Sequence, residues 1–159
     1  TQYLPADNPM WIGAGRPFLR GRVVHELGGG AQSILSVFSW DRADAPVVAV
    51  DGLFFAIRRR CFDSVTFDAK TFPGFHYYDL DICMQLHPAW KQIVTWDIMV
   101  KHFSIGNAGE EWKEAGQAFL RKYREVLPAS WCEGIPASQD RPPPLNYDIT
   151  GKVPRGVIA

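Results

Sequence analysis

No apolar run in this sequence approaches the ~18 residues needed to cross a bilayer, and no stretch reads as a secretory leader. Charge of one sign is not in excess either. Seventeen Lys and Arg balance seventeen Asp and Glu, which removes the electrostatic footprint of a nucleic-acid binder. The one basic run, Arg58-Arg59-Arg60, is expected at the solvated end of a strand, with a phosphate or membrane-surface contact as the alternative. Cysteine is scarce. Cys61, Cys83 and Cys132 are odd in number and lack CxxC spacing, which argues against a zinc site or disulfide framework and for a reducing compartment. Internal repeats are absent. What is there describes a folded domain: 159 residues, 47% hydrophobic and 13% aromatic, too rich in large apolar side chains for disorder. The chain opens on Thr1 rather than Met, and so reads as a piece of a longer polypeptide.

Residues 1–45 read as an irregular lead-in, broken by Pro5, Pro9, Pro17 and Gly28–Gly30, with short strands expected at Gly21–His25 and Ser33–Trp40. The Gly triplet has no following Lys-Ser/Thr, so a turn is preferred over a phosphate cradle. Pro46–Val50 predicts a buried strand, and Leu53–Ile57 a second one covered on both faces, with Asp51-Gly52 between them. Arg58–Val65 is expected to form a brief helix. Phe72-Pro73-Gly74-Phe75 predicts a turn before a helix over Tyr78–Leu86, whose Leu80, Cys83 and Met84 share a face and which Pro88 stops. Strands are expected at Gln92–Trp96 and Ile98–Val100. A helix is expected over Glu110–Val126, acidic at its start and basic at its end. Residues 128–159, with Pro142-Pro143-Pro144, predict an extended tail. The fold class expected is α/β.

Ionisable groups are densest at His76, Asp79 and Asp81. Asp79-Leu80-Asp81 is formally a DxD sequence, and two carboxylates one residue apart can clamp a divalent cation from a loop. On a helix, positions i and i+2 lie ~200° apart, so one carboxylate is expected to face a cleft and the other to brace the backbone. Two helix-start carboxylates that only cap backbone N–H groups remain the plain alternative. His102 ends a strand, where a histidine is more often structural than a ligand. Asp51, within an apolar run, needs a partner, and Gly52 permits close approach of another group. Ends of strands and helices in an α/β layer tend to meet along one edge, where ligands bind.

Asp51-Gly-Leu-Phe-Phe-Ala-Ile-Arg58, Phe67-Asp68, Phe72-Pro-Gly-Phe-His-Tyr-Tyr-Asp-Leu-Asp-Ile-Cys83 and Val100-Lys-His102 with Ser104 and Gly106 resemble the latter half of family 2 glycosyltransferases, in their glycosyltransferase-like branch. The likeness spans residues 47–125. It implies a GT-A, Rossmann-like mixed sheet with flanking helices, in which residues 1–127 form the acceptor-side half and the nucleotide-binding half is missing. It implies that Asp79 is the general base that deprotonates the acceptor hydroxyl, with Asp81 as structural support. Tyr78 stands where Glu or Asp is more usual. Asp51, Gly52, His76 and Tyr78 fall in the acceptor pocket, and His102 falls where a histidine joins the metal that holds the diphosphate. A nucleoside-diphosphate sugar and a glycan or other hydroxyl acceptor would be the substrates. Mn2+ or Mg2+ is expected only together with the missing DxD half, which would belong to the remainder of the same polypeptide. Location would be cytoplasmic, or peripheral to a membrane. Transfer by the inverting route needs one placed base and a positive centre on the leaving group, and a carboxylate lined by Phe75, Tyr77 and Tyr78 could have a raised pKa suited to it. Two other classes remain open: a non-catalytic module binding a glycan or protein through its aromatics, and a small metal hydrolase using His76, Asp79 and His102.

Overall fold

The computed structural model of the chain describes residues 1–131 apart from Pro9, residues 16–17 and 28–31, Trp40, Pro88 and residues 105–107. The expected Gly28–Gly30 turn, the helix stop at Pro88, Gly106, and the tail from Cys132 onwards lie outside the described residues. In chain order the elements are β1 (Tyr3–Leu4), β2 (Arg22–Leu27), β3 (Gln32–Val37), β4 (Ala45–Val47), α1 (Tyr78–Leu86), β5 (Gln92–Val94), β6 (Lys101–His102), α2 (Glu110–Tyr123) and β7 (Ala129–Ser130). Short 3-10 turns occupy Trp11–Ala14 and Arg59–Asp63. The fold is α/β, with small sheets and, among the described residues, two α-helices.

In place of one mixed sheet, the strands among the described residues form three small ones: β1 with β7, β4 with β5, and β3-β2-β6. Only the last is mixed, since β2 pairs antiparallel with β3 and parallel with β6. Residues 1–45, expected as an irregular lead-in with short strands at Gly21–His25 and Ser33–Trp40, carry β2 and β3 close to those bounds, and β2 is the central strand of the largest sheet. The strand expected at Ile98–Val100 is displaced to Lys101–His102, with the Val24 N–H donating to the Val100 carbonyl at its edge. At the other end, Leu127 and Ala129 are buried in the core and β7 pairs with β1, so the folded body continues past residue 128.

Leu53–Ile57 is not a strand. Among the described residues no strand pairs with its backbone, and its side chains alternate instead between shelter and solvent. Phe55 and Ile57 pack beside Cys61, Val65, Ile82 and Leu86, while Phe54 stays 58% exposed. A run of apolar residues marks strands and aromatic-rich loops alike, because the pattern reports burial demand rather than the ladder partner that must meet it.

Helix α1 forms where expected and is enclosed on both sides. Leu80, Cys83 and Met84 join Leu4, Val48, Phe72, Tyr77 and Phe119 in the main core, while Ile82 and Leu86 belong to the second cluster. Helix α2 covers the main core with Phe119, flanked by Trp112, Ala115 and Tyr123. Its first turn carries Glu110 and Glu111 and its last turn Arg121 and Lys122, complementing the helix dipole. Tyr77, directly before α1, holds the left-handed φ of 64° that a non-glycine residue rarely adopts. Its ring, wedged 5.5 Å from Trp112 and 5.6 Å from Phe119, fixes that conformation through packing.

A carboxylate at the start of the buried helix

Chain reversal at Tyr77 aims the first turn of α1 at the Asp51-Gly52 corner. The Gly52 N–H donates to Asp79 Oδ2 at 2.6 Å, and the Leu80 N–H donates to Asp79 Oδ1 at 2.9 Å. Each oxygen keeps a second lone pair for another donor. Beside it, the Tyr78 hydroxyl donates to the Gly52 carbonyl at 3.3 Å, and Asp51 Oδ1 accepts from the Leu53 N–H at 3.0 Å. Burial pushes the Asp79 carboxyl up to about 6, the nearby Asp51 charge adds to the rise, and the backbone N–H groups of Leu80, Gly52 and Asp79 itself hold it back.

The structure therefore brings Asp51, Gly52, Tyr78 and Asp79 together. Gly52 leaves little room for a side chain: a Cβ there would lie 2.6 Å from the Tyr78 hydroxyl oxygen and 3.1 Å from the Asp79 Cβ. The phenol can swing aside, whereas the Asp79 Cβ is fixed to the helix. Gly52→Ala is expected to cost ~1–3 kcal/mol of overpacking strain and to break the N–H bond to Asp79. Chemical denaturation and an amide resonance of residue 52 that loses its downfield shift would register both effects. Unchanged stability would show that the close approach is relieved freely.

His76 sits in an aromatic row rather than against Asp79's oxygens, with its ring 6.0 Å from Phe75. Phe75, Phe67 and Phe55 surround Tyr78 at 6.0, 6.3 and 6.5 Å between ring centres. Phe75 is 79% exposed, and a shallow cavity of about 290 Å³ opens between Phe67, Asp68, Ala69, Phe72 and Tyr78.

Asp81 points away from all of this, as two residues along a helix dictate. It is 1% exposed and accepts from Lys122 Nζ at 2.6 Å, the Tyr123 hydroxyl at 2.6 Å and Gln85 Nε2 at 2.7 Å. Lys122 also pairs with Asp68 at 2.8 Å, which holds the Asp68 carboxyl well below the usual carboxylate range.

His102 lies on β6, in register with His25 of β2, with ring centres 5.6 Å apart. Sequence reasoning missed His25, because only the parallel pairing of strands far apart in the chain brings it there. Among the described residues no group of three or more His, Cys, Asp and Glu is placed to hold a metal, so His76, Asp79 and His102 do not form the cluster a metal hydrolase would need. A divalent cation that joined His102 would find two imidazoles, nitrogen donors that suit a transition ion and supply part of its coordination sphere.

A small-sheet α/β body thus presents a desolvated carboxylate at a helix start, beside exposed aromatic rings, and that carboxylate can accept a proton. A family model described as "Glycosyltransferase like family" matches residues 1–125, and the chain belongs to that glycosyltransferase-like family. The match takes in residues 1–45, beyond the 47–125 span of the motif likeness. A protein of Fuscovulum blasticum described as "ATP synthase subunits region ORF 6" is 28% identical over 130 residues, covering 79% of this chain and 51% of that protein. The chain thus spans about half the length of that curated relative. No solved structure matches. No helix among the described residues is long and apolar enough to cross a membrane.

Proposed function

We propose that this chain supplies the acceptor side of a glycosyltransferase centre that moves a sugar from a nucleoside-diphosphate sugar to an acceptor hydroxyl with inversion. The observation that carries the reading is the Asp79 carboxylate, desolvated, oriented by the Gly52 N–H and opening beside Tyr78; family membership supports it. Asp79 would take the proton of the acceptor O–H as that oxygen attacks the anomeric carbon. The bond from that carbon to the diphosphate oxygen breaks, and its electron pair departs with the nucleoside diphosphate. The proton resides on Asp79, and the new glycosidic bond has the opposite anomeric configuration.

Asp51 and Gly52 would shape the acceptor pocket through the turn they form, while His76 and Tyr78 would bound it. Asp81 would hold α1 in place. A divalent cation, Mn2+ or Mg2+, would be held on the protein side by His102, and when bound it would offset the charge gathering on the departing diphosphate. The buried free thiols of Cys61 and Cys83 accord with a reducing, cytoplasmic setting or the cytoplasmic face of a membrane.

The test is to incubate the full-length protein with nucleoside-diphosphate sugars, Mn2+ or Mg2+ and hydroxyl acceptors, following nucleoside diphosphate release and the product anomer by proton NMR. Inverted product is expected. Retained configuration, or no donor consumed, would sink the reading. The exposed rings of Phe75 and Phe67, both set against Tyr78, favour a second reading, a non-catalytic glycan-binding module whose rings stack on sugar faces. Glycan binding without donor consumption would decide for it.

A further inference from the structure

We propose that His25 and His102 act as a pair of imidazole ligands to one divalent transition-metal ion, so that His25 is a metal ligand as well; the inference rests on the reading of His102 above. Residue 25 pairs directly with residue 102 across the parallel β2–β6 ladder, so both side chains leave the sheet on one face. That face is the one on which Val23 is buried. Two imidazoles bound to one ion at ~2.0–2.1 Å bring their ring centres to roughly 5 Å apart. The observed 5.6 Å needs only a small side-chain adjustment to reach that spacing.

The tautomer is set by the protein. His25 Nδ1 lies 3.0 Å from the Ser104 carbonyl oxygen, which can only accept. Nδ1 therefore carries the proton of the neutral ring, and Nε2 keeps its lone pair for a metal. A metal-binding histidine is commonly oriented this way, with its second nitrogen donating to a carbonyl or carboxylate. Strand alternation also clears the competing charge. Lys101 pairs with Val24 on the opposite face and is ion-paired to Glu26 there, so its ammonium does not occupy the imidazole side.

The donor chemistry names the class of ion. Magnesium demands a near-octahedral shell of oxygens and gains little from nitrogen, whereas Mn2+, Co2+ and Zn2+ accept imidazole in the presence of a diphosphate. The site should therefore separate Mn2+ and Co2+ from Mg2+.

The experiment is calorimetric titration of the full-length protein, with a nucleoside diphosphate present, by Mn2+, Co2+ and Mg2+ in turn, with Co2+ visible absorption as a second readout. Wild type is expected to bind Mn2+ and Co2+ more tightly than Mg2+. His25→Ala and His102→Ala are each expected to weaken Co2+ at least ~10–100-fold and to shift its visible band. His25→Asn serves where alanine disturbs folding, because its amide N–H can still donate to the Ser104 carbonyl while the Nε2 ligand is gone. Loss of Co2+ affinity in that variant, with an unchanged melting profile, supports ligation. Loss in His102→Ala alone, with His25→Asn binding as wild type, overturns this inference and leaves the reading of His102 standing. No binding by wild type, or binding unaffected by either substitution, overturns both.

Discussion

Asp79→Asn is expected to reduce turnover by ~10²–10⁴-fold, the range a positioned general base contributes, while leaving donor affinity unchanged. The amide fills the same space next to Gly52 but cannot take a proton from an acceptor hydroxyl. Single-turnover transfer and separate donor titration on the full-length protein measure the two quantities. Equal losses in both would mean that the substitution had disturbed the site rather than removed the base.

The same carboxyl makes two pH predictions of opposite appearance. Its pKa is raised from the ordinary 3.8 of an aspartate to about 6, chiefly by burial. A base must be deprotonated to act, so turnover should rise with pH through about 6 and level off above it. Stability runs the other way. A group whose folded-state pKa lies above its unfolded value adds stability that is fully present below the unfolded pKa and is lost as pH rises through the folded one. Wild type should therefore forfeit on the order of 2–3 kcal/mol from this group between pH ~4 and ~7, and Asp79→Asn should not. The readout is the difference between wild-type and variant melting temperatures across that range, which cancels the titration of the other carboxylates. A pH-independent difference would show that the carboxyl is not desolvated. Such a cost at working pH is what the proposed role as a base would require of the group.

How much of this was legible beforehand depends on the range over which each feature is encoded. The bounds of α1 follow from the local spacing of Leu80, Cys83 and Met84, and the divergence of Asp79 from Asp81 follows from the 100° step of any helix. Gly52 could be read as a place of close approach, though not as the donor that grips Asp79, because residues 52 and 79 meet only in the folded chain. Leu53–Ile57 misled because periodicity cannot say whether a second strand exists to pair with an apolar run. His25 was invisible for the same reason: its significance depends on a parallel contact with residue 102. The Tyr77 conformation is another case, since nothing in a Tyr-Tyr pair announces a left-handed φ until Trp112 and Phe119 are seen to clamp the ring.

Asp81→Ala is expected to be the most destabilising single substitution in the helix pair, costing ~3–5 kcal/mol, the range found when one partner of a buried ionic group is removed. For a chain of this size that is on the order of ten degrees of melting temperature, at ~2–4 °C per kcal/mol. The reason is the number of donors that converge on one enclosed carboxylate. Lys122, Tyr123 and Gln85 all donate to it, and the Tyr123 hydroxyl also reaches the Asp81 carbonyl at 3.2 Å. The bonds from Lys122 and Tyr123 tie the last turn of α2 to the first turn of α1, while Gln85 braces the carboxylate from within α1. Without the carboxylate, Lys122 can still reach Asp68, but the half-buried Tyr123 hydroxyl loses its charged acceptor. Tyr123→Phe removes one donor and should cost less, ~1.5–3 kcal/mol for a hydrogen bond to a charged group. Lys113→Ala, which breaks only the exposed pair with Glu110, should fall within the ~0–1 kcal/mol of a surface ion pair. Denaturant unfolding of the three variants should reproduce that order, Asp81 above Tyr123 above Lys113. A cost for Asp81→Ala no larger than that for Lys113→Ala would mean that the two helices are held by apolar packing alone. Asp79 would then depend for its position on Tyr77, Leu80 and Phe119 rather than on its buried neighbour.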